Sequence, residues 1–159
     1  MLPAAGQGVV VTAGGPTTVL LVDDHPLVRQ GLQAVLSTVD DITVAGEASD
    51  GRAAIQLAAE LEPDVIIMDL QLPGLHGIDA TREIVAARPG TAVLVLTMFE
   101  DDDMVFSAVS AGAVGYLLKG ANGADIVTAV RAAGAGQAVF GTALAQRLRT
   151  WFTRGPQPP

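Results

Sequence analysis

The sequence contains no cysteine, so disulfides, thiolate metal sites and cysteine nucleophiles are excluded. Aromatic residues make up only 4% of the chain, so any core must be built mainly from Val, Leu, Ile and Ala. Positive charge is scarce: the net charge is -8, which argues against broad binding to a nucleic-acid backbone by this chain alone. No apolar run approaches the ~20 residues of a membrane span. The first lysine or arginine is Arg29, so a basic signal-peptide start is missing. A soluble, cytoplasmic protein is the expectation. Lysine is scarcer still, with Lys119 standing alone against eight arginines.

Half of the 159 residues are hydrophobic, enough for the core of one domain with some tail. Four short apolar runs organise the chain, and each ends on a reactive side chain. Val19 to Val22 runs into Asp23 and Asp24, Val65 to Met68 into Asp69, Ala92 to Leu96 into Thr97, and Val114 to Leu118 into Lys119. The runs are continuous rather than alternating, which predicts strands buried on both faces.

Gly, Pro and small residues dominate residues 1–16, which have no charge and no clear period and are expected to form a flexible tail. A first strand over Thr17 to Val22 leads to Pro26, acceptable in a helix's first turn. Leu27, Val28, Leu32, Val35 and Leu36 then recur at helical spacing. Ile42 to Ala48 is a weaker strand interrupted by Gly46, and an Ala-rich helix runs from Asp50-Gly51 to about Leu61. After the strand ending at Asp69 comes the loop LQLPGLHG. A helix from about Ile78 to Ala87 follows, with Ile84 and Val85 facing inward, and Pro89-Gly90 ends it. Glu100 to Asp103 opens a fourth helix; four acids there complement the helix dipole, which accounts for them better than metal binding does. A helix from about Ala124 to Ala133 closes the pattern.

Strand and helix thus alternate five times, which implies a parallel sheet with helices on both faces. Ligands of such sheets bind outside the carboxyl ends of the strands. That edge collects Asp23, Asp24, Asp69, Thr97 and Lys119. The second strand brings no such group, as expected of a strand at the sheet's margin.

Converging carboxylates do not all ionise cheaply without a counter-charge. Oxygen ligands without cysteine or clustered histidine point to Mg²⁺, with Mn²⁺ also possible, rather than Zn²⁺. Mg²⁺ takes few carboxylates and leaves room for a phosphoryl oxygen. Lys119 and the Thr97 hydroxyl can serve two more. The set fits phosphoryl transfer, with Asp69 as nucleophile. Each residue also has an ordinary reading. Asp23-Asp24 and Thr97 can cap helices, Asp69 can be a loop acid, and Lys119 can snorkel from the sheet. Recurrence after four of five strands favours a shared site. His25 and His76 lack metal-ligand spacing and read as exposed helix-start or loop residues.

The segments VLLVDDHPLVRQGL, VIIMDLQLPGLHGID, VLVLT and AGAVGYLLKG resemble the receiver domain of two-component response regulators, closest to the NarL/FixJ subfamily with LuxR-type output. The resemblance covers residues 17–137. It implies a flavodoxin-like (βα)5 fold with a five-stranded sheet of order 2-1-3-4-5. It further implies that Asp69 is the phosphoacceptor and that Asp23 and Asp24 hold Mg²⁺ together with Asp69 and the backbone carbonyl of Gln71. Thr97 and Lys119 are the implied contacts of the phosphoryl group. Tyr116 is the implied switch aromatic, moving with Thr97, and Pro73 and Gly77 match the loop after the phosphoacceptor. The implied partners are a sensor histidine kinase and a second copy, bound through the helix 4–strand 5–helix 5 face or through helices 1 and 5. The implied chemistry is Mg²⁺-dependent self-phosphorylation with slow autodephosphorylation, not multiple-turnover catalysis.

This sequence departs from many receivers in having Gly120, not Pro, directly after the lysine. The subfamily normally continues into a helix-turn-helix DNA-binding domain, and none fits after residue 138. Residues 138–159, with Leu144, Leu148 and Trp151 among arginines, are expected to form a linker helix and a flexible end, so that the chain is a fragment of a longer regulator. A stand-alone receiver, or a module that docks without phosphorylation, is the alternative. A haloacid-dehalogenase-like phosphatase fits less well, because the second Asp it needs is Gln71. A flavin or nucleotide module would need a phosphate cradle where Asp23-Asp24 stands.

Overall fold

A computed structural model describes residues 15–98 and 102–139, together with Gln146, Arg149, Thr150 and Thr153. Most of the expected N-terminal tail and most of the expected linker helix lie outside the described residues. Strands and helices alternate as β1 (Thr17–Val22), α1 (Pro26–Leu36), β2 (Ile42–Ala48), α2 (Gly51–Leu61), β3 (Val65–Asp69), α3 (Gly77–Ala87), β4 (Ala92–Thr97), α4 (Asp102–Ser110), β5 (Gly115–Leu118) and α5 (Gly123–Gly134). All strand pairs are parallel, and the sheet order is β2-β1-β3-β4-β5. The expected alternation and strand order are both borne out.

Continuous apolar runs become strands buried on both sides because successive side chains feed two separate cores. Val19, Leu21, Val65, Ile67, Leu94 and Leu96 pack against α1 and α5. Leu20, Val22, Ile66, Met68, Val93 and Val95 pack against α2 and α3. Every residue of β3 is buried, so truncating Ile66 or Ile67 to Ala would cost about 2–5 kcal/mol. Such a rigid central strand fixes the position of its last residue, Asp69.

Gly46 interrupts β2 as a bulge. Val19 pairs with Val44 but Leu20 with Gly46, leaving Ala45 extra. Leu27 departs from its expected place: it is 81% exposed, while Leu32 and Leu36 are buried. It shares the outer face of α1 with the exposed Gly31, four residues on. Of the four acids expected at the start of α4, Glu100 and Asp101 lie outside the described residues.

Side chains fix the helix starts. Asp50 accepts from the Ala53 N–H at 2.8 Å and Asn122 from the Asp125 N–H at 2.9 Å. Helix α1 instead begins with Pro26, and its N-cap residue, His25, makes no side-chain capping bond. At the other end of the molecule, Arg131 of α5 grips Asp41 with two bonds of 2.8 and 2.9 Å.

Candidate phosphoacceptor and metal site

The chain reverses its direction across the sheet between β1 and β3, the two strands that neighbour each other at the centre. Crevices form at such reversals, outside the carboxyl ends of the strands. Asp23 directly follows β1, Asp69 ends β3, Thr97 ends β4 and Lys119 directly follows β5. The sheet therefore brings the expected residues to one edge.

Asp23 is fully buried, and Asp69 and Thr97 are 2% and 8% exposed. The Lys119 ammonium lies 3.0 Å from Asp23 Oδ2 and 3.3 Å from Asp69 Oδ2. The Lys119 N–H donates to the Thr97 carbonyl at 2.9 Å, so β4 positions the start of the lysine loop. The Gln71 N–H donates to Asp69 Oδ1 at 3.2 Å. Tyr116 is half-buried in β5 against Val105 and Phe106 of α4, placing the expected switch aromatic between that helix and the sheet.

Burial pushes the Asp69 carboxyl above the ordinary aspartate range, and the Asp23 charge pushes it the same way; the Gln71 N–H and Lys119 oppose both. Burial works against the Lys119 ammonium, but the neighbouring carboxylates outweigh it and raise its pKa. The lysine is thus a fixed cation and Asp69 a carboxylate whose charge is poorly compensated.

Asp23, Asp24, His25 and Asp69 each bring a ligand atom to within 4.8 Å of the others. Asp23 Oδ2 and Asp24 Oδ1 are buried without any hydrogen bond, although Lys119 gives the former an ion pair. Three carboxylates and one ammonium leave net negative charge, and oxygen atoms without donors call for a hard cation. This acidic pocket fits Mg²⁺.

Two neighbours were not foreseen from sequence. His25 is exposed at a helix start, as expected, yet its Nδ1 lies 3.0 Å from Asp23 Oδ1 and 3.1 Å from Asp24 Oδ1. Arg29 donates to the Asp23 carbonyl at 2.5 Å and to Glu47 Oε1 at 2.8 Å, clamping the acid turn to α1 and β2. Arg29 follows Pro26 by three residues, which aims it back over the first turn of α1. That spacing was the available signal.

Gly77 holds the loop after Asp69 close to the strand. A Cβ there would sit 2.2 Å from the Asp69 carbonyl oxygen, so only glycine permits this approach. Its N–H donates to the Leu70 carbonyl at 3.0 Å.

Residues 19–131 match the family model of the response regulator receiver domain. The chain is 45% identical over 139 residues to the uncharacterized transcriptional regulatory protein YxjL of Bacillus subtilis, covering 87% of this chain and 64% of that protein. It is 50% identical over 119 residues to the transcriptional regulatory protein LiaR of the same organism, covering 75% and 56%. The chain thus spans less than two thirds of the length of these relatives. A crystal structure of a LuxR-family two-component response regulator from Aurantimonas sp. superposes with a TM-score of 0.78 at 35% identity, covering 86% of this chain and 97% of that one.

Proposed function

Because this chain belongs to the response regulator receiver family, as a receiver domain of the NarL/LuxR type, we propose that Asp69 takes a phosphoryl group from the phosphohistidine of a sensor histidine kinase. Receiver domains of this family partner with such kinases. The observation that carries the reading is Asp69 at the mouth of the central strand, buried, with Lys119 3.3 Å away and an acidic pocket beside it.

An Asp69 carboxylate oxygen attacks phosphorus in line, the P–N bond breaks, and its electron pair returns to the kinase imidazole, which takes up a proton. Lys119 already touches the attacking carboxylate and is the cation that meets a phosphoryl oxygen. The Thr97 hydroxyl, at the end of the adjacent strand, donates to another. Asp23 and Asp24, with Asp69 and the Gln71 carbonyl, would hold Mg²⁺, which neutralises phosphoryl charge when bound. The chain's own task is to keep these groups fixed on strand ends, so that little reorganisation is needed.

Phosphorylation replaces one negative charge with roughly -1.5 to -2. Thr97 and Lys119 are drawn to it, and Tyr116 follows Thr97 inward. The change reaches the face made by α4, β5 and α5, where Met98, Tyr116, Leu118 and Ala121 line a cavity of about 630 Å³. A second copy docks on that face or on the α1–α5 groove, a 440 Å³ cavity between Val35, Val39, Val127 and Arg131. DNA is reached through a helix-turn-helix output domain outside this chain. No helix among the described residues is long and apolar enough to cross a membrane.

The test is intact mass after incubation with acetyl phosphate, with and without Mg²⁺, on the wild type and Asp69→Asn. One Mg²⁺-dependent phosphoryl adduct, absent from the variant, is expected. An adduct retained in Asp69→Asn would overturn the assignment.

A further inference from the structure

The two histidines of this chain occupy the same kind of position and do different things. His76 is the N-cap of α3, and its Nδ1 accepts from the Ile78 N–H at 3.1 Å, an ordinary capping bond. His25 is the N-cap of α1 and caps nothing. Pro26 occupies the start of the helix and brings no N–H of its own. The His25 ring turns instead toward the carboxylates.

Its Nδ1 stands 3.0 Å from Asp23 Oδ1 and 3.1 Å from Asp24 Oδ1. Only the Asp23 contact has hydrogen-bond geometry, and Asp24 Oδ1 is left buried without a donor. Lys119 reaches Asp23 and Asp69, whereas the ion-pair neighbour of Asp24 among the described residues is His25. Among the described residues, no lysine or arginine forms an ion pair with Asp24. Asp23, wholly buried, turns Oδ2 toward Lys119 and Oδ1 toward His25, whose backbone N–H also donates to Oδ1 at 2.8 Å.

The spacing is that of an ion pair and equally that of two ligands on one ion. Ligands about 2.1 Å from an octahedral ion are about 3.0 Å from one another along each edge. The two Nδ1-to-oxygen distances match two such edges.

We propose that His25 is a direct nitrogen ligand of the divalent ion at this site, and that it tilts the site from Mg²⁺ toward ions that favour imidazole, such as Co²⁺. This rests on the reading that Asp23, Asp24 and Asp69 hold a divalent ion. Imidazole suits the later first-row metals, whereas Mg²⁺ prefers oxygen and water. With Nδ1 on the metal, the ring is neutral and its Nε2–H faces solvent, consistent with a side chain 64% exposed. The ion that occupies the receiver, and so the rate at which it is phosphorylated, then depends on which divalent ions are abundant.

The test is calorimetric titration of the intact chain with Co²⁺ and, separately, with Mg²⁺. The wild type is compared with His25→Asn, which keeps a strong N-cap residue, with His25→Gln, and with His76→Asn as control. Proton NMR of the Co²⁺ complex is recorded alongside. Loss of a direct ligand should weaken Co²⁺ at least as much as loss of a group that supports a ligand, by roughly tenfold or more. Mg²⁺ affinity should change by less than about threefold, since Mg²⁺ replaces an imidazole with water. A paramagnetically shifted imidazole N–H signal should be present in the wild type and His76→Asn and absent from both His25 variants. Equal losses for Co²⁺ and Mg²⁺, or no loss for either, would overturn the proposal while leaving the acid site intact. Absence of wild-type binding for both ions would overturn the metal-site reading itself, and the proposal with it.

Discussion

Replacing Lys119 with methionine keeps the length of the side chain and deletes its charge. The ammonium lies 3.0 Å from Asp23 and 3.3 Å from Asp69 and is only 12% exposed. At an effective dielectric near 20, each attraction has a gross size of about 5 kcal/mol. Desolvating the ammonium and carboxylates consumes much of that, and breaking a buried pair typically costs ~3–5 kcal/mol because the partners are left uncompensated. Lys119→Met should therefore destabilise the metal-free protein by about 3 kcal/mol at neutral pH. In a domain of this size that is a fall of about 10 °C in Tm. The assay is urea unfolding in EDTA and in saturating Mg²⁺. The loss should shrink in Mg²⁺, where a second cation serves the same carboxylates, and should fall below about 2 kcal/mol in an Asp69→Asn background, where one of the two is already neutral. A loss under about 1 kcal/mol in EDTA, or one of the same size with and without Asp69, would refute the view that Lys119 compensates this cluster.

The raised pKa of Asp69 gives a signed pH dependence. Between the unfolded value near 3.8 and the higher folded value, the native chain binds more protons than the unfolded one, so stability falls as pH rises through that window. Asp69→Asn should lack that fall and gain on the wild type across the window; parallel urea midpoints would contradict this. Asp41 has the opposite sign: the Arg131 side-chain hydrogen bonds lower its pKa, so its contribution is present above the unfolded pKa and lost as pH falls through the folded one. In Arg131→Ala the Asp41 carboxyl resonance should titrate back in the ordinary range, and its staying low would refute the pairing. Gly77→Ala drives a Cβ into the Asp69 carbonyl. Overpacking of this kind costs about 1–3 kcal/mol, and a misplaced Asp69 should slow labelling by acetyl phosphate on the order of 100-fold. Unchanged labelling would show that Gly77 does not position the acceptor.

Most of the fold was legible because one physical signal carried it. Unbroken Val/Ile/Leu runs of strand length, separated by helical periods, leave few alternatives to a parallel sheet. The residues ending those runs then share an edge by topology alone, which is why Asp69, Thr97 and Lys119 could be named together. Reading α1 from spacing alone overstated its apolar face, because Leu27 sits one helical step outside the buried stripe. His25 escaped for a different reason. Ligand spacing rules look for histidines in pairs, whereas its partners are the two preceding acids, and only the turn into α1 folds the ring back on them. Arg29 is similar: its contact with Glu47 depends on where α1 sits against β2, a tertiary fact, and only its reach back to the Asp23 carbonyl leaves a local trace.

The isolated bridge at the edge of β5 bears on where such a domain can be cut. After α5, Gly136 turns with φ +83° and the chain comes back along the sheet. The Val139 N–H donates to the Val114 carbonyl at 2.8 Å, and Val139 pairs with Gly115. A Cβ at Gly115 would lie 2.4 Å from the Val139 carbonyl oxygen, so the glycine of the G-Y-L-L-K segment is reserved for this visitor. Truncations placed at the end of α5 would strip the cover from an outer strand one residue from Tyr116. A bare edge of that kind invites pairing between molecules. The boundary of an isolated receiver from this chain is therefore better drawn beyond Val139 than at the last turn of α5, and fusions should leave residues 135–139 untouched.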